Sequence, residues 1–300
     1  MKRRIHGPAA MLGLLAACGP PPSEVVVDVE VVDTDTATAA EDVVPFISYA
    51  TYRARAVPSS VRPGFIVEGD VYVPDEAALR RRYDAAVGTP GGLTASIVNG
   101  EHNVWPDFSA GELTYCIDPA FDTDNNPVTS VAAVRLALER AAEEWERLVN
   151  VDFIHLAEED ENCHGANHDV VFNVALSNAT TYNAAAFFPN YSRANRQLEV
   201  TPSAFVPPPG GPTLQGIMAH ELGHALGFRH EHIWLAEPCT LETSSYAELL
   251  TPYDVDSVMH YWWCRPSESG GYEVQPLDRT GAMSVYGLHP AYTTMFSYLL

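Results

Sequence analysis

After Thr213 the apolar residues fall at Leu214, Ile217, Met218, Leu222 and Ala225, a helical stripe opened by a threonine N-cap. A longer stripe follows Ser130 at Val134, Leu138, Ala141, Trp145 and Leu148, and predicts a helix with one face turned to a core. Around these two helices lie short apolar runs of strand length at 113–117, 151–156, 169–176, 184–188 and 197–200. Residues 277–286 suit a closing helix. Mixed strands with two long helices predict an α+β domain. Upstream the pattern thins: residues 65–73 read as one short strand, and 75–83 as a helix opened by Pro74. Residues 19–45 are rich in Pro, Val, Asp and Thr and read as a disordered tether, because a valine-rich piece at 25–32 alternates with acids and has no neighbours to pair with.

The helix after Thr213 also carries chemistry. His220, Glu221 and His224, followed by Gly227 and His230, spell H-E-x-x-H-x-x-G-x-x-H. Histidines four apart project from one face of a helix and can share a metal ion. Gly227 permits the left-handed conformation that ends a helix, and the turn brings His230 back as third ligand. Three neutral imidazoles leave one position of a tetrahedral Zn²⁺ open, the pattern of a catalytic ion. Glu221 is placed to reach a water at that position without displacing it. A chance His-Glu pair on a surface helix does not require Gly227 or His230.

Some thirty residues on, Pro252-Tyr253-Asp254 leads into Ser257, Met259, His260 and Tyr261. This segment resembles the Met-turn of the metzincin metalloproteases, and its form is most similar to the astacin family. The resemblance spans roughly residues 105–286. It implies a metzincin-type zincin domain: a twisted, mixed five-stranded sheet, a backing helix, the zinc helix and an irregular C-terminal half. It implies a zinc-dependent metalloendopeptidase with one catalytic Zn²⁺, His220, His224 and His230 as ligands and Glu221 as general base. Met259 becomes an apolar floor beneath the metal, and Tyr261 approaches it. Glu231 matches the glutamate that meets the mature amino terminus in astacins, whereas Trp234 stands where those proteins usually carry arginine. Glu68-Gly69-Asp70-Val71 resembles the F-x-G-D latency motif of astacin zymogens, with Val67 in place of phenylalanine, and makes Asp70 a candidate latency switch. A turn between two strands explains Gly69-Asp70 equally well. The rival from another class is a catalytically inactive zinc-binding surface or adhesion lipoprotein; Glu221 speaks against it, because binding needs the histidines and chemistry needs the carboxylate.

A formal net charge of −22 argues against nucleic acid or an anionic membrane surface as partner. The expected partner is a protein or peptide substrate of a monomeric enzyme, with Arg193 and Arg196 as candidates for selecting acidic side chains. Lys2, Arg3 and Arg4 precede an apolar run at 9–17 that is too short to span a bilayer and ends Leu15-Ala16-Ala17-Cys18. This resembles the lipobox of bacterial lipoproteins and implies lipidation at Cys18. The chain is then exported, at the outer membrane or cell surface, or secreted, and meets the membrane only through its lipid anchor. The four remaining cysteines predict two disulfides in such a compartment, with three possible pairings; Cys239–Cys264 with Cys116–Cys163 is favoured because Cys239 and Cys264 bracket the Met-turn segment. The organisation expected is therefore a signal peptide at 1–18, the tether at 19–45, a pro-segment-like region at 46–98 and the catalytic domain at 99–300.

Overall fold

The computed structural model describes residues 49–67, 70–84, 93–123, 128–234, 244, 246–265 and 272–291. Cys18, the tether and Cys239 lie outside them. The described chain opens with an N-terminal unit: helix α1 (Tyr49–Arg55), an antiparallel sheet of β1 (Val57–Pro58), β2 (Phe65–Val67) and β3 (Val71–Val73), and helix α2 (Glu76–Asp84). The single strand expected over 65–73 is corrected here. The run is two paired strands, with Phe65 opposite Val73 and Val67 opposite Val71. Both halves are apolar, so they read as one run; the polar Glu68-Gly69-Asp70 between them is a turn signal.

Next come β4 (Thr94–Val98) and β5 (Glu101–His102), joined through Asn99 and Gly100 at φ of 54° and 86°. Both turn residues need positive φ in a two-residue hairpin whose twist matches its strands, and Asn-Gly supplies it. There follow α3 (Asp107–Ala110), β6 (Leu113–Ile117), α4 (Ala120–Thr123), α5 (Val131–Glu146), β7 (Phe153–His155), β8 (Phe172–Leu176), β9 (Ala184–Ala185) and β10 (Gln197–Val200). Helix α6 (Leu214–Ala225), β11 (Phe228–Arg229), β12 (Ala247–Leu249) and α7 (Pro276–Tyr286) complete the order.

The central sheet runs β7-β6-β8-β10-β9, with the first four strands parallel and β9 antiparallel at the edge. This is the five-stranded mixed sheet of an α+β domain. Its core lies between the sheet (Leu113, Val174, Leu198) and the helices α5 and α6 (Leu138, Trp145, Leu222). Ser130 Oγ accepts from Ala133 N at 3.0 Å and caps α5, while the helix stops at Glu146, so Leu148 falls beyond it. The Trp145 indole donates to Ala219 O at 2.9 Å and pins α5 to α6.

Strand β4, which the sequence grouped with the N-terminal region, pairs instead with β11 and β12 on either side of His230. Cys116 and Cys163 form a disulfide between β6 and the loop before β8. Cys264 is also disulfide-bonded. The N-terminal unit docks at the sheet edge: Val71 bridges Ala186 in parallel, Tyr72 N donates to Ala186 O at 3.2 Å, and Ala186 N donates to Asp70 O at 3.1 Å.

Candidate metal centre

Helix α6 starts where the pattern placed it. Thr213 is its N-cap, its side chain accepting from Gly216 N at 3.2 Å. Its C-terminal carbonyls, which have no partner within a helix, are taken up from outside: Trp105 Nε1 donates to Ala225 O at 2.8 Å and Tyr286 OH to Leu226 O at 2.5 Å. Gly227 then turns the chain at φ of 99°. A Cβ there would stand 2.1 Å from Asn103 O, so no side chain fits. That turn leads through β11 to His230.

The result is a buried group of His220, His224, His230 and Asp70 that could hold a metal ion. His230 Nε2 lies 3.2 Å from His220 Nε2 and 3.1 Å from His224 Nε2. Asp70 Oδ2 is 3.2 Å from His220 Nε2, and Oδ1 is 3.1 Å from His230 Nε2 and 3.7 Å from His224 Nε2. Tetrahedral nitrogen ligands at about 2.0–2.1 Å from an ion stand about 3.3–3.4 Å apart, so most of these spacings suit one small cation shared by the four groups. The opposite ring nitrogens are engaged with carbonyls: His220 Nδ1 with Val258 O at 2.7 Å and His224 Nδ1 with Phe228 O at 2.8 Å. A carbonyl only accepts, so Nδ1 carries the proton and Nε2 presents its lone pair inward. The donor set fits zinc.

The electrostatics fit the same ion. Burial pushes the His224 imidazole down to about 4, keeping it neutral as a ligand must be. Against the upward push of burial, the three imidazoles gathered around it hold the Asp70 carboxyl well below its usual range. Burial, then the nearby carboxylates of Asp70 and Glu199, push Glu221 well above the ordinary carboxyl value. Glu221 Oε2 is buried without a hydrogen-bond partner among the described residues.

The second segment singled out in the sequence lies directly below. A Cβ on Gly223 would stand 2.3 Å from Met259 Sδ, which places Met259 against the underside of α6. Tyr261 is buried with its ring 4.3 Å from that of His230 and 5.8 Å from that of His220. Glu231 is buried; Oε1 accepts from Asp254 N at 2.7 Å, whereas Oε2 has no hydrogen-bond partner among the described residues, and burial pushes its carboxyl up to about 9. Trp234 Nε1 donates to Thr94 Oγ1 at 2.7 Å. Arg193 and Arg196 are not free to select a ligand: Arg193 donates to Val170 O and Asn173 Oδ1, and Arg196 to Tyr191 O and Pro189 O.

Two supporting residues escaped the sequence reading. Tyr272 stacks on His220 at 4.8 Å, and no local pattern marks it. Asp278 accepts from Ser257 Oγ, Val258 N and Gln275 N at 2.6–2.9 Å and so ties the Met259 segment to the first turn of α7. Its signal was present: Pro276 opens the helix and an acid follows at the third position, a capping pattern.

No family model matches the chain, and no curated protein matches it. Among solved structures the chain is similar to myroilysin at 16% identity and a TM-score of 0.40, over 64% of this chain and 98% of that one.

Proposed function

We propose that this chain is a zinc-dependent metalloendopeptidase of the metzincin type, most similar to astacins, in a latent form. The observation that carries the reading is the convergence of three buried Nε2 atoms beside the buried carboxylate of Glu221. A structural ion needs no such carboxylate.

Bound zinc would supply Lewis acidity, which lowers the pKa of a coordinated water to about 7 and polarises a peptide carbonyl. The chain's own groups do the rest. Glu221 accepts the proton of the attacking water and returns it to the leaving amine. Tyr261, packed beside His230, offers a phenol to the developing oxyanion. An extended peptide adds to the edge strand β9 through backbone hydrogen bonds, with Ala186 as the residue that pairs with it. In the intact chain β3 takes that edge, and Asp70 takes the position the water needs; this supports Asp70 as a latency switch. Glu231, with one carboxylate oxygen unengaged among the described residues, would be the acceptor for a mature amino terminus. The Cys116–Cys163 bridge is in keeping with export, and the lipid anchor at Cys18 belongs to the same proposal.

Elemental analysis paired with peptide cleavage tests the reading. In an Asp70→Ala chain, adding Glu221→Gln should keep one zinc per chain, because Glu221 is not a ligand, and lose cleavage by orders of magnitude. Cleavage by the double variant at a rate near that of Asp70→Ala removes the mechanism.

A further inference from the structure

A second set of buried charges joins the N-terminal unit to the central sheet. Glu199 in β10 is fully buried, and its carboxylate accepts three hydrogen bonds: from Ser59 Oγ at 2.6 Å and Arg62 Nε at 3.1 Å on Oε1, and from Tyr182 OH at 2.6 Å on Oε2. Arg62 is 6% exposed. Its Nη1 donates to Asn195 O at 2.5 Å and its Nη2 to Gln197 O at 2.7 Å, and the guanidinium lies over the Tyr72 ring, 3.5 Å from the centroid.

The receiving groups divide cleanly by origin. Glu199, Tyr182 and the carbonyls of Asn195 and Gln197 belong to the central domain. Only Ser59, Arg62 and Tyr72 come from the N-terminal unit. One carboxylate and two carbonyls set to meet all three nitrogens of a planar fork recognise a guanidinium; an ammonium, as a point charge, cannot reach all three. A simple tether does not need this. Burying an ion pair costs desolvation that apolar contact avoids, and Ile66, Tyr72, Tyr182 and Ala185 already supply an apolar contact between the same two parts. The charge also lies near the cleft. Glu199 pairs across the sheet with Ala185, next to the Ala186 that Val71 bridges, and its charge acts on Glu221.

We infer that Glu199, with the carbonyls of Asn195 and Gln197, is a receptor for an arginine side chain. Arg62 fills it in the intact chain; an arginine-bearing peptide substrate fills it once the N-terminal unit has left the sheet edge. The second half rests on the peptidase reading, and the first does not.

Arg62→Ala in the full chain leaves a cavity of guanidinium shape. N-ethylguanidinium should bind it on the order of tenfold more tightly than the isosteric neutral N-ethylurea and raise the melting temperature accordingly, and Glu199→Gln in the same background should erase the difference. Should Arg62→Ala fold poorly, the recovery of folded protein on refolding with each compound is the same readout. Equal effects of the two compounds, or a preference that survives Glu199→Gln, overturn the receptor. For the substrate half, the Asp70→Ala/Arg62→Ala chain should cleave arginine peptides on the order of tenfold faster in kcat/KM than citrulline counterparts. A ratio near one overturns that half. Cleavage of neither peptide counts against the peptidase reading, while the binding comparison still decides the receptor.

Discussion

At the scale of single residues, burial sets the protonation of several groups in and around the candidate metal centre. The nearby His260 shows the cost. It is buried, Nε2 lies 2.7 Å from Tyr253 OH, and burial pushes the imidazole from 6.5 down to about 4. A folded value below the unfolded one means that the unfolded chain binds the proton first. The contribution to stability is therefore complete above about pH 6.5 and is lost as pH falls toward 4, amounting to roughly 3 kcal/mol at about 1.36 kcal/mol per unit. Denaturation of wild type and His260→Gln from pH 7 to pH 4.5 should show the wild-type advantage shrinking with acidity; a constant gap contradicts the burial argument. Tyr261 makes a kinetic prediction. If its phenol meets the oxyanion, Tyr261→Phe in the Asp70→Ala background lowers kcat by about 10–10³-fold with little change in KM or zinc content. A change within twofold makes it only a packed ring.

Elements carry the lesson on what the sequence could disclose. Helices α5 and α6, their Ser130 and Thr213 caps and the five central strands were legible, because period and capping are local properties. The H-E-x-x-H-x-x-G-x-x-H set was legible for the same reason: ten residues of spacing, one helix and one turn place three imidazoles. What failed was partnership at a distance. The pairing of β4 with β11 and β12 leaves no trace in local periodicity, although Asn99-Gly100 marks the hairpin that follows β4. Arg62 and Glu199 are 137 residues apart, and nothing near either one announces the other. The turn between α6 and β11 offers a test at this scale. Gly227→Ala forces a side chain at φ of 99° against Asn103 O, and should cost about 2 kcal/mol of unfolding free energy, read as a lower denaturant midpoint, and weaken zinc retention by displacing His230. An unchanged midpoint shows that the turn is not under that constraint.

Across the whole molecule, the N-terminal unit and the central domain meet at one edge through apolar packing and through three polar contacts. Backbone pairing at Ala186 takes the strand position, Asp70 enters the histidine cluster, and Arg62 enters the sheet at Glu199. On the proposed reading, the surfaces that meet here are those a substrate would need, and latency and recognition would be two states of one edge. The most direct measurement is cleavage of a peptide library by the full chain carrying Asp70→Ala, with Asp70→Ala/Glu221→Gln and wild type alongside and zinc measured in each. Asp70→Ala should cleave well above wild type, and adding Glu221→Gln should abolish cleavage while zinc stays near one per chain. An Asp70→Ala chain that holds zinc and cleaves nothing, or one whose cleavage survives Glu221→Gln, contradicts a latent zinc peptidase.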